Sequence, residues 1–181
     1  MQIIEIASLT PSNKSLKQNL ISLLLTCVKH GASIGFLTPF SELEATQYWD
    51  SVASDMQRGG RILLIAIQDE QIIGTVQLSL SEKQNGSHRA EIEKLMVHPD
   101  ARKQGIAKQL MHQVEAVASK QNRRLLILDT QTGSLAYQLY LNLGYQRVGE
   151  IPCFALSTEG ELEATCIFYK YVAGETQELK Q

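Results

Sequence analysis

The stretch from Val97 to Met111, VHPDARKQGIAKQLM, sets Arg102, Gly105 and Ala107 just ahead of a run with helical spacing. Arg102-Lys103-Gln104-Gly105-Ile106-Ala107 has the form R-x-x-G-x-A. A helix start leaves several backbone N–H groups without intrahelical partners, and the macrodipole adds partial positive charge there. Such an end favours an anion. Gly105 admits a close approach to the backbone, Ala107 keeps the first turn from blocking it, and Arg102, Lys103 and Lys108 add cations. A pyrophosphate fits that arrangement. The turn is not a P-loop, since G-x-x-x-x-G-K-[ST] is absent, and it has one glycine where the dinucleotide fingerprint needs three. On these six residues alone, an ordinary strand-to-helix turn with solvated charges stands beside the anion site.

The elements that must hold the turn are read from periodicity and punctuation. A short strand at Ile3–Ile6 is broken by Thr10-Pro11-Ser12. Leu16, Leu20, Leu23, Leu24 and Val28 give helical spacing over Ser15–Lys29, ended at Gly31. Ser41 with Glu44 three residues on predicts a capping box for a second helix, which runs to about Arg58 and stops at Gly59-Gly60. Arg61–Gln68 and Gln71–Leu80 read as a hairpin turning at Asp69-Glu70, and Ala90–Val97 as a further strand. A helix then runs from about Gly105 to Lys120, followed by the apolar strand RRLLILDT, a helix over Ser134–Leu143 ended by Gly144, and strands at Tyr145–Ala155 and Glu163–Tyr171 turning at Glu159-Gly160. The order β, α, α, β, β, β, α, β, α, β, β predicts an α/β chain with a mixed sheet and helices packed on it. Residues 1–172 read as one domain, with a polar tail over 173–181.

Bulk properties narrow the partners. The 181 residues are 44% hydrophobic and 20% charged, with a net charge of −2, which argues against a nucleic-acid binder working through a basic face. Cys27, Cys153 and Cys166 form no CxxC pair, so they predict core or half-buried free thiols and a reducing, cytoplasmic setting. His30, His88, His98 and His112 show no ligand spacing, and no metal is expected. The N-terminus lacks the pattern of a secretory signal, and the longest apolar run, Leu20–Val28, is too short to span a bilayer.

The runs IEKLMVHPDARKQGIAKQLM, LLILDT and AYQLYLNLGYQRVG, in that order, resemble the GNAT superfamily of acetyl-CoA-dependent N-acetyltransferases. The resemblance covers about Ile73 to Tyr171 and includes the R-x-x-G-x-A turn and the helix end A-x-x-x-Y-x-x-x-G-Y. It implies a mostly antiparallel sheet with a parallel central pair and flanking helices. It implies that the anion is the pyrophosphate of coenzyme A, held at positions 102–108 chiefly by backbone N–H groups, with Leu95, Met96, Val97, Ser134 and Tyr137 along the rest of the cofactor. Many members of that family carry Asn just before S-L-A, where this chain has Gly133; that removes a side-chain contact but not the phosphate loop. HGASIGF, LDTQTGS and GYQRVGEIPCFALSTEGELEATCIFYK also resemble the bacterial acetyltransferase group that includes the tabtoxin-resistance acetyltransferase, whose members modify a small amino-acid-like toxin.

Acetyl transfer from a thioester to an amine needs the amine deprotonated, the oxyanion stabilised and the thiolate protonated. Glu93 lies in the strand before the turn and Asp129 ends the next strand; if these strands are neighbours, both carboxylates flank one cleft. The resemblance assigns them to base catalysis, against the plainer readings of a solvated strand residue beside Glu91 and Lys94 and of a turn acid before Thr130. It makes Tyr140, four residues before Gly144, the general acid, against plain packing on the inner helix face. A bulge near Met96 or Val97 would turn N–H groups toward the oxyanion. By the resemblance, Gly31 and Phe36 of HGASIGF cover the acceptor, against the plainer reading of a helix–helix connection with Phe36 in the core; Trp49 is expected to fill the core. The resulting expectation is transfer of an acetyl group to the primary amine of a small molecule, by direct attack in a ternary complex, with the chain a monomer or homodimer. A protein N-terminus or lysine as acceptor, and a non-catalytic acyl-CoA sensor, are the alternatives.

Overall fold

The structure is a computed structural model that describes residues 1–10, 13–158 and 160–172. The expected breaks at Pro11-Ser12 and Glu159, and the polar tail over 173–181, lie outside the described residues. The chain runs β1 (Gln2–Ile6), α1 (Lys14–Lys29), α2 (Glu42–Gln57), β2 (Arg61–Gln68), β3 (Gln71–Leu80), β4 (Arg89–Val97), α3 (Ile106–Lys120), β5 (Leu125–Gln131), α4 (Leu135–Asn142), β6 (Gln146–Leu156) and β7 (Leu162–Tyr171). The element order is the expected one.

The strands form one seven-stranded sheet in the order β1-β2-β3-β4-β5-β7-β6. The β4–β5 pair is parallel and every other pair is antiparallel. Asp69 and Glu70 take φ values of 49° and 62° to turn the β2–β3 hairpin without a glycine. β2 is apolar on both faces: Leu63 and Ile65 join the core beneath α1 and α2, while Leu64 and Ala66 join the core beneath α3 and α4. A strand covered on both sides reads as a continuous apolar run for this reason. Trp49 and Phe168, both fully buried, anchor the two cores.

The capping box at α2 forms as expected. The Glu44 N–H donates to Ser41 Oγ at 3.2 Å, and the Ser41 N–H donates to Glu44 Oε2 at 2.8 Å. Cys27 and Cys166 are buried, but Cys153 is exposed, with φ 53° in an irregular part of the edge strand β6; the expectation of a core or half-buried thiol fails there.

One half-buried ion pair ties the α3–α4 layer to the sheet. Lys170 Nζ donates to Glu115 Oε2 at 2.7 Å and to the Leu143 carbonyl at 2.9 Å, and lies 5.3 Å from the Tyr145 ring centroid. The Glu115 side chain is only 12% exposed. Removing one partner leaves the other charge uncompensated, whereas replacing both restores apolar packing. Lys170→Met is therefore expected to cost about 3 kcal/mol in a denaturant melt. The double variant Lys170→Met/Glu115→Met should recover most of that loss. A single variant melting like the parent would show the pair to be solvent-screened.

Candidate active site

The β4–β5 ladder is short. It pairs Arg89 with Leu125, Ala90 with Leu126 and Glu91 with Ile127, and ends there. Beyond that point β4 and β5 no longer pair with each other, though each keeps its other neighbour, and a wedge opens in mid-sheet. The other edge of β4 is bulged: Gln77 pairs with Glu93 and Thr75 with Met96, leaving one extra residue on β4. Lys94 takes the left-handed φ of 51° within it. Ile92 and Leu95, three residues apart, both pack toward α3 and α4, so Glu93 and Lys94 both turn to the opposite face. Thr75, fully buried, donates its hydroxyl to the Lys94 carbonyl at 3.1 Å. The bulge thus falls at Lys94–Leu95, ahead of the Met96–Val97 position expected from sequence, because Met96 is already back in register with Thr75 and buried beneath α1 and α2. Leu95 and Val97 are half-buried toward α3.

Below the wedge, the expected anion turn has the expected shape. Gly105 is the N-cap of α3 with φ 78°, and a side chain there would meet nothing within 4 Å. The helix closes first from Gln109 N to the Gly105 carbonyl at 3.1 Å, so the N–H groups of Ile106, Ala107 and Lys108 precede any intrahelical partner. Arg102, Lys103, Gln104 and Lys108 are exposed, and Ile106 is buried and fastens the turn to the core. Arg102 Nε donates to the Val97 carbonyl at 3.4 Å. An open left-handed glycine, unpaired amides and three exposed cations fit a diphosphate.

The carboxylates gather on the α1–α2 face. Glu93 Oε2 accepts from Arg61 at 2.9 Å, and Arg61 also donates to Gln77 Oε1 at 2.6 Å and lies 3.3 Å from Asp55 Oδ2. Glu93 is therefore tied into a polar network linking the sheet to α2. Asp129 is exposed and accepts from the Thr165 hydroxyl at 2.7 Å. Glu91, which the sequence reading treated only as a neighbour of Glu93, joins them. Glu91 is exposed to solvent, and partial desolvation first, then the Glu93 and Asp129 charges, raise its carboxyl above its ordinary value, with Lys94 and Arg61 opposing.

Tyr140 stands on the other face of the sheet. Its side chain is buried on α4, with ring centroids 5.8 Å from Tyr145 and 6.1 Å from Phe168. Burial, and secondarily Asp129, hold its phenol well above the usual range, so it stays protonated. Ser134 caps α4, its Oγ accepting from the Tyr137 N–H at 3.1 Å, and the Tyr137 ring packs edge-on against Phe168 at 5.2 Å. Tyr140 and the carboxylates lie on opposite faces of the sheet, with Asp129 within electrostatic range of the phenol.

A cleft of about 540 Å³ adjoins the wedge on the carboxylate side. Gly31, Gly35 and Phe36 line one wall, as HGASIGF led one to expect; Gly31 and Gly35 turn at φ 75° and 88°. Gln131 and the end of the β6–β7 hairpin, Ala155–Thr158 with Glu163, line the other. The sequence reading missed this second wall, because distant segments meet there only through the crossover that puts β7 beside β5. Among the described residues, no helix is long and apolar enough to cross a membrane, and no three His, Cys, Asp or Glu residues gather as metal ligands.

Comparison with known proteins agrees with this geometry. N-acetyltransferase 8B of Rattus norvegicus is 32% identical over 132 residues, covering 65% of this chain and 60% of that protein. The chain spans less than two thirds of the length of the curated relatives it matches. Ribosomal-protein-alanine N-acetyltransferase from Brucella melitensis superposes with a TM-score of 0.77 at 17% identity, covering 95% of this chain and 100% of the other. The yncA protein of Salmonella typhimurium, solved with its cofactor acetyl-CoA, superposes with a TM-score of 0.75 at 12% identity, covering 98% of each chain. At those identities the likeness is one of fold. The model of the Acetyltransferase (GNAT) family matches residues 30–145, from HGASIGF through the turn and Tyr140 to Tyr145. The chain belongs to the GNAT family of acetyltransferases.

Proposed function

We propose that residues 1–172 form a single acetyl-CoA-dependent N-acetyltransferase domain acting on the primary amine of a small, amino-acid-like molecule. The observation that carries this reading is the wedge between β4 and β5, which has an anion-binding turn at its foot, three carboxylates on one face and a buried phenol on the other. Acetyl-CoA supplies the acetyl group as a thioester. The amides of 105–108, with Arg102, Lys103 and Gln104 beside them, hold its diphosphate, and the open edge of β4 from Leu95 to Val97 lies along its arm. Glu93 and Asp129 hold the acceptor as its ammonium form. Glu91 takes the amine proton, directly or through water, since a carboxyl with a raised pKa is better matched to that task. Tyr140 keeps a proton for the departing sulfur. No cysteine is needed for direct attack, and Cys166 is already the acceptor of a hydrogen bond from Arg147 Nε at 3.3 Å. Gly31 and Phe36 cover the acceptor from the cleft wall.

The likeness of HGASIGF, LDTQTGS and the last two strands to the tabtoxin-resistance group supports an amino-acid-like acceptor and a cytoplasmic bacterial setting. The curated relative with the longest match reported above comes from rat, so the subgroup rests on those residues alone. Thiol release from acetyl-CoA, measured across a panel of small amines and protein N-termini, tests the reading. Small primary amines are expected to be acetylated, and Asp129→Asn to lower kcat/KM about tenfold, as the loss of one charge-assisted hydrogen bond to the acceptor's ammonium does, with coenzyme A affinity retained. Tight cofactor binding with no turnover on any acceptor class would indicate a sensor instead, and unchanged turnover in Asp129→Asn would remove that residue from the mechanism.

A further inference from the structure

Lys94 stands against the Gly35–Phe36 wall of the cleft, without an ion-pair partner among the described residues. Its backbone holds a left-handed φ of 51°, a conformation that strains a non-glycine residue. The bulge turns its side chain to the carboxylate face beside Glu93. Yet Arg61 takes the Glu93 carboxylate and Thr165 takes Asp129, and among the described residues no carboxylate lies within ion-pair distance of Lys94 Nζ. The ammonium instead lies 5.7 Å from the Phe36 centroid and 6.0 Å from that of Tyr48, against the turn at Gly35. Aromatic faces attract a cation but fill none of its three N–H donors. A partly buried ammonium with unfilled donors is costly, and an incoming anion relieves that cost.

We propose that Lys94 binds the carboxylate of the acceptor, and that the enzyme selects α-amino acids with apolar side chains. This rests on the acetyltransferase reading and narrows its substrate. The carboxylates of Glu91, Glu93 and Asp129 lie within electrostatic range of Lys94, so the site carries both signs of charge, a pattern that matches a zwitterion. A polyamine would set its second cation against Lys94. The cleft offers an apolar patch beside its polar lining of Gln131, Thr158 and Glu163: Phe36, Leu37, Ala155 and Leu156 line it, and Leu37 and Leu156 are 45% and 48% exposed.

Two measurements test the proposal. In the first, kcat/KM is compared for L-phenylalanine, L-phenylalanine amide and spermidine, with the parent protein, Lys94→Met and Lys94→Arg. The parent is expected to favour the free acid over the amide about 30-fold, the change that one desolvated charge-assisted hydrogen bond produces. Lys94→Met should bring that ratio within about threefold of unity, and Lys94→Arg should keep most of it. In the second, calorimetry compares binding of N-acetyl-L-phenylalanine and its amide to the coenzyme A-loaded parent, with the same preference expected; this holds even if Lys94→Met does not fold. Acetylation of the amide or spermidine as efficient as that of phenylalanine would overturn the role of Lys94 and leave the transferase reading standing. Carboxylate-selective binding with no acetylation of any amine would uphold Lys94 and overturn the transferase reading. Equal losses on acid and amide in Lys94→Met would show that Lys94 only secures the loop.

Discussion

Gly105→Glu is expected to weaken coenzyme A binding by at least about 100-fold, because two effects act at one position. The first is electrostatic. The space beside Gly105 is open, with nothing within 4 Å of an added Cβ, so the new carboxylate enters the space where the α3 amides and Arg102 would meet a diphosphate. Like charges brought together at a binding surface cost several kcal/mol. The second is conformational. Gly105 holds φ 78°, and any other residue there carries about 1–2 kcal/mol of left-handed strain. Gly105→Ala separates them, since it adds the strain without the charge. It should lower the melting temperature by a few degrees, as ~1 kcal/mol does in a domain of this size, while binding coenzyme A far better than the glutamate variant. Calorimetry on folded protein reads both. Normal coenzyme A affinity in Gly105→Glu would show that the diphosphate sits elsewhere.

The sequence made this turn legible because its physics is local. A glycine that must be left-handed, an N-terminal helical turn and clustered cations are all written within seven residues. Ser41 with Glu44, Gly59-Gly60 and the two-residue hairpin turn were legible for the same reason. The bulge is a middle case. Ala90 and Ile92 are two residues apart, as are Leu95 and Val97, but Ile92 and Leu95 are three apart; that change of parity in RAEIEKLMV is consistent with an extra residue between them. Whether the strand bulges stays open on sequence alone; the strand pairing places the bulge at Lys94–Leu95. Lys94 and Glu91 were passed over because their meaning is not local. Glu91 depends on where Asp129 arrives from β5, and Lys94 on Phe36 and Tyr48, which come from the α1–α2 loop and from α2, distant in sequence. The second wall of the cleft depends on strand order, which periodicity does not encode. Tyr140 was found through the spacing to Gly144, and the structure adds that the same ring fills the core between Tyr145 and Phe168.

Glu91→Gln is expected to lower kcat/KM by about 100- to 1000-fold, the range of a lost general base. Glu93→Gln should lower it far less. The difference follows from what each carboxylate already does. Glu93 is bound to Arg61, so its substitution loosens the Arg61–Gln77–Tyr48 network and shows mainly as lost stability. Glu91 has no such cation and is pushed toward its protonated form by partial desolvation and by Glu93 and Asp129. A base works only when ionised, so activity should rise with pH through the Glu91 pKa. That limb should lie above the ordinary carboxylate value of 4.5 and vanish in Glu91→Gln. Stability should move the opposite way. The folded state holds the Glu91 proton more tightly than the unfolded chain does, so ionising it costs stability as pH rises from that value upward. Glutamine removes the cost, and at neutral pH Glu91→Gln should melt no lower than the parent and Glu93→Gln should melt below it. Steady-state kinetics from pH 5 to 9, with thermal melts of the same samples, resolve the two roles. Near-parental turnover in Glu91→Gln beside a large loss in Glu93→Gln would return the proton transfer to Glu93 and leave Glu91 as a charge that merely crowds the site.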